Sequence, residues 1–135
     1  MNVALAQELQ QARRAEKEQA LFYRALAALA EQVGHVQTAE DLNGLLADEQ
    51  HHLSRLTARL LEADQALADL RDVQVPAAEY ADWQTQARSR EQAEIERYER
   101  LQRLELDPVT AALIQEILRA EENHARTLGG KYMSA

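Results

Sequence analysis

No cysteine occurs anywhere in the 135 residues. Disulfide frameworks, thiolate zinc sites, iron–sulfur clusters and cysteine nucleophiles are excluded together, and the chain fits a reducing compartment. Glycine and proline are nearly as scarce, at four and two, and β-branched residues are few. Ala, Leu, Glu, Gln and Arg, all strong helix formers, fill the chain instead, so an all-α protein is expected. No apolar stretch approaches the length of a membrane span. The first eight residues lack the basic and apolar regions of a signal peptide, and a cytoplasmic protein without membrane association is the expectation. Clustered cations are also missing. The net charge is −8, and Arg13, Arg14 and Lys17 are interleaved with Glu16 and Glu18, which argues against nucleic acid as a partner. A single domain over 1–135 is long enough to bury a core unaided.

The sparse punctuation divides the chain into four helices, at about 3–33, 39–62, 78–105 and 108–128. Gly34 can end the first in a left-handed cap, and Thr38-Ala39-Glu40-Asp41 resembles a capping box opening the second. Asp107-Pro108 reads as an N-cap followed by a proline at the first helical position. Gly129-Gly130 reads as the end of the last helix. Between the second and third helices a simple hairpin would turn near residue 70, where no breaker stands. If 63–77 instead run back along the bundle, these two helices become parallel, and about 11 extended residues suffice for the return. The crossover is the favoured route, although Leu53, Leu56, Leu60, Leu67 and Leu70 keep a near-heptad rhythm that could prolong the second helix.

Across these helices one unit is used twice. Glu16 and Tyr23 lie seven residues apart on the first helix, and Glu49 and His52 form a Glu-x-x-His pair on the second. Glu91 with Tyr98, then Glu121 with His124, repeat the pattern on the third and fourth. The midpoints between Glu16 and Glu49, and between Glu91 and Glu121, fall beside Gly34 and Asp107-Pro108, which sets the residues of each hairpin level. Each Glu also interrupts an apolar stripe at helical spacing. The stripes read Leu5, Leu9, Ala12, Glu16, Ala20, Tyr23; Leu42, Leu46, Glu49, Leu53, Leu56; Trp83, Ala87, Glu91, Ile95, Tyr98; and Leu113, Ile117, Glu121, His124, Leu128.

Burying a lone carboxylate costs several kcal/mol, and four at one level would repel each other. Lys and Arg are missing from these faces at that height, so metal ions are the expected counter-charge. Two divalent ions balance four carboxylates, and His52 and His124 complete the set as neutral ligands. Oxygen and nitrogen donors without sulfur suit iron, with manganese possible. A single Glu-x-x-His pair is usually solvated surface; the repetition, stripes and turns raise this one above that.

These residues resemble the ferritin-like di-iron carboxylate proteins over nearly the whole chain, and rubrerythrin most closely. The carriers are Glu16 to Tyr23, Asp48-Glu49-Gln50-His51-His52, Glu91 to Tyr98, and Ala120-Glu121-Glu122-Asn123-His124. The resemblance implies a ferritin-like four-helix bundle with a crossover between helices two and three. It implies Glu49 and Glu121 as bridging carboxylates and Glu16, Glu91, His52 and His124 as terminal ligands. Glu94 stands where rubrerythrins carry a further glutamate that exchanges with a histidine during redox change, while Gln19, its counterpart on helix one, is no carboxylate. A solvated Glu94 is the alternative. Bacterioferritins bind haem through a methionine where this chain has Gln50, so no haem is expected. Rubredoxin-type electron delivery needs cysteines, so an external electron donor is expected. Tyr23 and Tyr98 would orient ligand carboxylates by hydrogen bonding, with plain core packing as the alternative. His51 is expected to be exposed, His35 receives no role, and Trp83 is expected to pack where the crossover meets the bundle.

The function so implied is a non-haem di-iron redox protein reducing hydrogen peroxide, or oxygen, as Fe(II) is oxidised. Ferroxidase activity with iron storage is the alternative, and oxygenation of an organic substrate is a further one. From a different class, the chain could be a metal-free helical interaction module. A homodimer follows from the resemblance alone, and a closed cage is the larger possibility.

Overall fold

A computed structural model describes the backbone of residues 1–132 and the side chains of residues 1–129. Its elements are α1 (Val3–Gln32), α2 (Val36–Glu62), a 3₁₀ turn (Tyr80–Asp82), α3 (Trp83–Gln102) and α4 (Pro108–Tyr132). No strand occurs among the described residues. The chain falls into two units, Leu9–Trp83 in one, and Gln84–Ala135 with Met1–Glu8 in the other.

In the Leu9–Trp83 unit, α1 and α2 form an antiparallel hairpin. Gly34 adopts φ 77°, and His35 N–H donates to Ala30 O at 2.9 Å while Gly34 N–H donates to Glu31 O at 3.1 Å. This pair of bonds closes the last turn of α1 and requires the left-handed residue that glycine supplies. The chain then enters α2 directly. His35 is the N-cap and makes no side-chain capping bond, so the capping box expected at Thr38 is not formed: Thr38 already lies inside the helix, which starts at Val36.

The same turn recurs where α2 ends. Asp64 takes φ 58°, and Gln65 N–H reaches Leu60 O at 2.9 Å. The leucine rhythm through Leu67 and Leu70 therefore does not prolong α2 past Glu62. From there the chain follows α1 in α1's own direction. Gln10 Nε2 donates to Ala66 O at 2.6 Å and Arg13 donates to Ala68 O at 2.7 Å. Arg14 pairs with Asp72 at 3.1 Å, and Tyr80 OH bonds His35 Nδ1 at 2.8 Å. The expected crossover is thus present, and the buried Trp83 lies where it becomes helix.

In the other unit α3 and α4 form the second antiparallel hairpin. Asp107 caps α4 as expected, its carboxylate accepting from Thr110 N–H at 2.9 Å and from Thr110 Oγ1 at 2.7 Å, with Pro108 first in the helix. The third helix starts at Trp83 rather than 78 because 73–79 form no helix and Tyr80–Asp82 make a 3₁₀ turn. Gly129-Gly130 do not stop α4, which continues to Tyr132. A glycine inside a helix costs about 1 kcal/mol against alanine, less than the rest of a 25-residue helix sustains.

Candidate metal centre

The first hairpin delivers one triad. Glu16 from α1 and Glu49 from α2 are wholly buried, and His52 is 5% exposed. The three-residue spacing places Glu49 and His52 one above the other on α2, and the turn at Gly34 brings Glu16 to their level. His52 Nδ1 lies 3.7 Å from Glu16 Oε1 and 3.4 Å from Glu49 Oε1. Each residue offers a donor atom within 4.8 Å of the others.

The second hairpin repeats it. Glu91 from α3 and Glu121 from α4 are wholly buried, and His124 is 4% exposed. His124 Nδ1 is 3.4 Å from Glu91 Oε1 and 3.3 Å from Glu121 Oε1, again with donors within 4.8 Å. Burial pushes the His124 pKa down, but the neighbouring Glu121 and Glu91 carboxylates outweigh it and raise the value to about 11. Without metal this imidazole is a cation neutralising its own carboxylates. A metal ion would take over that role and displace the proton.

One shift relates each helix to its counterpart: Glu16 to Glu91 is 75 positions (91 − 16), and His52 to His124 is 72 (124 − 52). Tyr23 and Tyr98 match under it and are both fully buried. Gln19 and Glu94 also match, at 1% and 6% exposure. Glu94 is therefore no solvated neighbour. Its carboxylate is buried, with Arg97 Nε 4.0 Å away. His51 is exposed, as expected. The remaining stripe residues are buried except Leu46 and Leu53, which are half-buried.

Sequence reasoning passed over one matched pair. Arg13 Nε donates to Thr57 Oγ1 at 2.8 Å. Under the same shifts its counterparts are Arg88 and Gly129, and Arg88 Nε lies 3.7 Å from where a Gly129 Cβ would stand. The offset of 75 between Arg13 and Arg88 is the signal that the sequence carries for this pair.

Two carboxylates and one imidazole per triad, buried and without sulfur, fit iron or manganese. The arrangement can hold a cation away from bulk water and fix its ligands on rigid helices. No helix among the described residues is long and apolar enough to cross a membrane.

Comparison with known proteins adds family and fold. The family model described as rubrerythrin matches residues 9–131. No curated protein matches. Among solved structures, a bacterioferritin from Desulfovibrio desulfuricans, whose di-iron site is described in different catalytic states, is similar with a TM-score of 0.85 at 19% identity, covering 94% of this chain and 77% of that one. That likeness gives the fold as a ferritin-like four-helix bundle.

Proposed function

Because the chain belongs to the rubrerythrin family, we propose that its two buried triads serve one dinuclear iron centre, and that the protein reduces hydrogen peroxide, or oxygen, as Fe(II) is oxidised. The observation that carries this is the repetition of a buried Glu, Glu, His triad on both hairpins. Glu49 and Glu121 would serve both ions, and Glu16, Glu91, His52 and His124 would each serve one. A likeness to a bacterioferritin with a di-iron site supports iron over manganese.

Two ferrous ions, when bound, supply the two electrons that one peroxide needs. The residues do the rest. Four carboxylates would match the charge of two divalent ions, which would take over the neutralising role that the His124 imidazolium plays without them. The two imidazoles bind as neutral ligands, and His124 surrenders its proton to do so. Each peroxide consumed takes up two protons and leaves two waters. Tyr23 and Tyr98, buried two turns from Glu16 and Glu91, hold ligand carboxylates in orientation. Glu94 is a further ligand on one side only, because its counterpart Gln19 cannot accept a metal as a carboxylate does. Haem is not part of this centre, and Gln50 is an exposed amide. Electrons return from an external donor, in the cytoplasm, to what is most simply a homodimer.

Stopped-flow absorbance of the di-Fe(II) protein tests the oxidant. Faster reaction with hydrogen peroxide than with oxygen is expected; the reverse order would favour ferroxidase activity. The bacterioferritin likeness keeps that second reading specific, and it requires a closed cage, which a size measurement distinguishes from a dimer.

A further inference from the structure

Under the shift of 75 that matches Glu16 to Glu91, two neighbouring positions change together. Gln19 answers to Glu94 (94 − 19) and Phe22 answers to Arg97 (97 − 22). Both members of the first pair are neutral and buried, at 1% and 0% exposure, and Phe22 packs edge-on to Tyr23 at 5.4 Å. The second pair is an anion and a cation three residues apart on one face of α3. The second hairpin thus carries a carboxylate and a guanidinium as a set, where the first carries an amide and a ring.

The pair stands close without being locked. Arg97 Nε lies 4.0 Å from Glu94 Oε1, with the carboxylate side chain 7% and the guanidinium side chain 28% exposed. Arg97 Nε is itself buried and makes no hydrogen bond, and Arg97 has no other ion pair among the described residues. A charge-assisted hydrogen bond spans about 2.7–2.9 Å, so a movement of roughly 1 Å closes this one. Glu94 also stands apart from the ligand cluster. Donor atoms of Glu91, Glu121 and His124 lie within 4.8 Å of one another, and Glu94 is not in that group.

Charge counting says what the cation does. On the dinuclear reading, two divalent ions balance Glu16, Glu49, Glu91 and Glu121. A fifth buried carboxylate leaves one negative charge in excess, and Arg97 cancels it without joining the cluster. We propose that Arg97 is a positioning residue that holds the Glu94 carboxylate off the metal while both ions are divalent. Glu94 then becomes a ligand only when added positive charge at the ion outweighs the guanidinium. This rests on the dinuclear reading and makes Glu94 a conditional ligand rather than a permanent one.

Cobalt(II) tests it without turnover, because the visible absorption of Co(II) weakens as its coordination number rises. The metal-stripped full chain, loaded with Co(II), should bind two ions, and Glu94→Gln should leave its spectrum unchanged. Arg97→Phe, which installs the residue of the first hairpin, should let Glu94 reach the ion and lower the absorption per Co(II). Arg97→Gln, which keeps a polar side chain at this partly exposed position, should do the same. Combining Arg97→Phe with Glu94→Gln should restore the parent spectrum, which a merely structural role of Arg97 would not produce. Helical circular dichroism and Co(II) stoichiometry show that each variant is folded. The proposal is overturned if Glu94→Gln alters the parent spectrum, if Arg97→Phe and Arg97→Gln both leave it unchanged, or if the double variant keeps the weakened absorption. Fewer than two Co(II) bound by the parent would overturn the dinuclear reading, and the proposal with it.

Discussion

The two hairpins hold the same triad and differ at a few positions around it. Glu16, Glu49 and His52 on one side answer Glu91, Glu121 and His124 on the other, with closest imidazole-to-carboxylate separations of 3.4 and 3.3 Å. Outside the triads the match fails at chosen points: Gln19 against Glu94, Lys17 against Gln92, Thr57 against Gly129. Two identical triads suffice to hold two cations. The differences are what can make one ion's environment unlike the other's, and one flank of the bundle unlike its counterpart.

The most severe way to break the symmetry is to remove one of the two carboxylates proposed to serve both ions. Glu121→Leu, or its counterpart Glu49→Leu, should abolish stoichiometric iron loading. Replacing the pair together, Glu121→Leu with His124→Leu, should stabilise the metal-free protein by about 1–4 kcal/mol in urea unfolding, because a buried ion pair gives way to apolar side chains. If loading were lost and the stability of the paired variant fell as well, the glutamate would be a structural hydrogen-bonding group rather than a ligand.

Glu94→Gln makes the hairpins alike at the position where they now differ. The iron count should stay the same, because the six triad residues remain, while oxidation by peroxide should slow by about 10–100-fold. Rapid-mixing absorbance measures this, and Gln19→Glu is the complementary variant, which should leave the count unchanged.

A smaller effect concerns protons. The folded-state pKa of His124 is raised from 6.5 to about 11, so its contribution to the stability of the metal-free protein is fully present below pH 6.5. That contribution is lost as pH rises through about 11. Urea midpoints of the metal-free chain should therefore fall between these limits, and His124→Ala should flatten the decline. Metal addition in weak buffer near pH 8 should release a proton from the same imidazole.

The smallest effect compares the two turns of the first hairpin. Gly34 and Asp64 both take positive φ, at 77° and 58°, yet only one is glycine. Asp64→Gly should stabilise by about 1 kcal/mol, since an L-residue is strained in that region, and Gly34→Ala should destabilise by a similar amount. Thermal unfolding reads both changes.

What was legible in the sequence was whatever repeats or punctuates locally. The triads could be found because Glu-x-x-His is a pattern within one helix turn, and their levels because Gly34 and Asp107-Pro108 mark the turns. The crossover could be argued from the missing breaker near residue 70. Helix ends were harder. Thr38 has the chemistry of a cap but not the place, because the bonds at Ala30 and Glu31 hand the chain straight into α2. Gly129-Gly130 looked like a stop, yet helical packing outweighs two weak positions. The cavity lined by α1, α2 and the crossover was hidden for a different reason. Lys17, Leu53 and Val73 are 20 to 56 positions apart in the chain (73 − 53, 73 − 17), and only the path of the crossover brings them together.

The claim that both triads serve one dinuclear centre is met most directly by anaerobic titration of Fe(II) into metal-stripped protein, counting tightly bound ions per chain. A sharp endpoint at about two is expected from four carboxylates and two imidazoles. No saturable binding would contradict it and leave the buried glutamates to a metal-free helical interaction module.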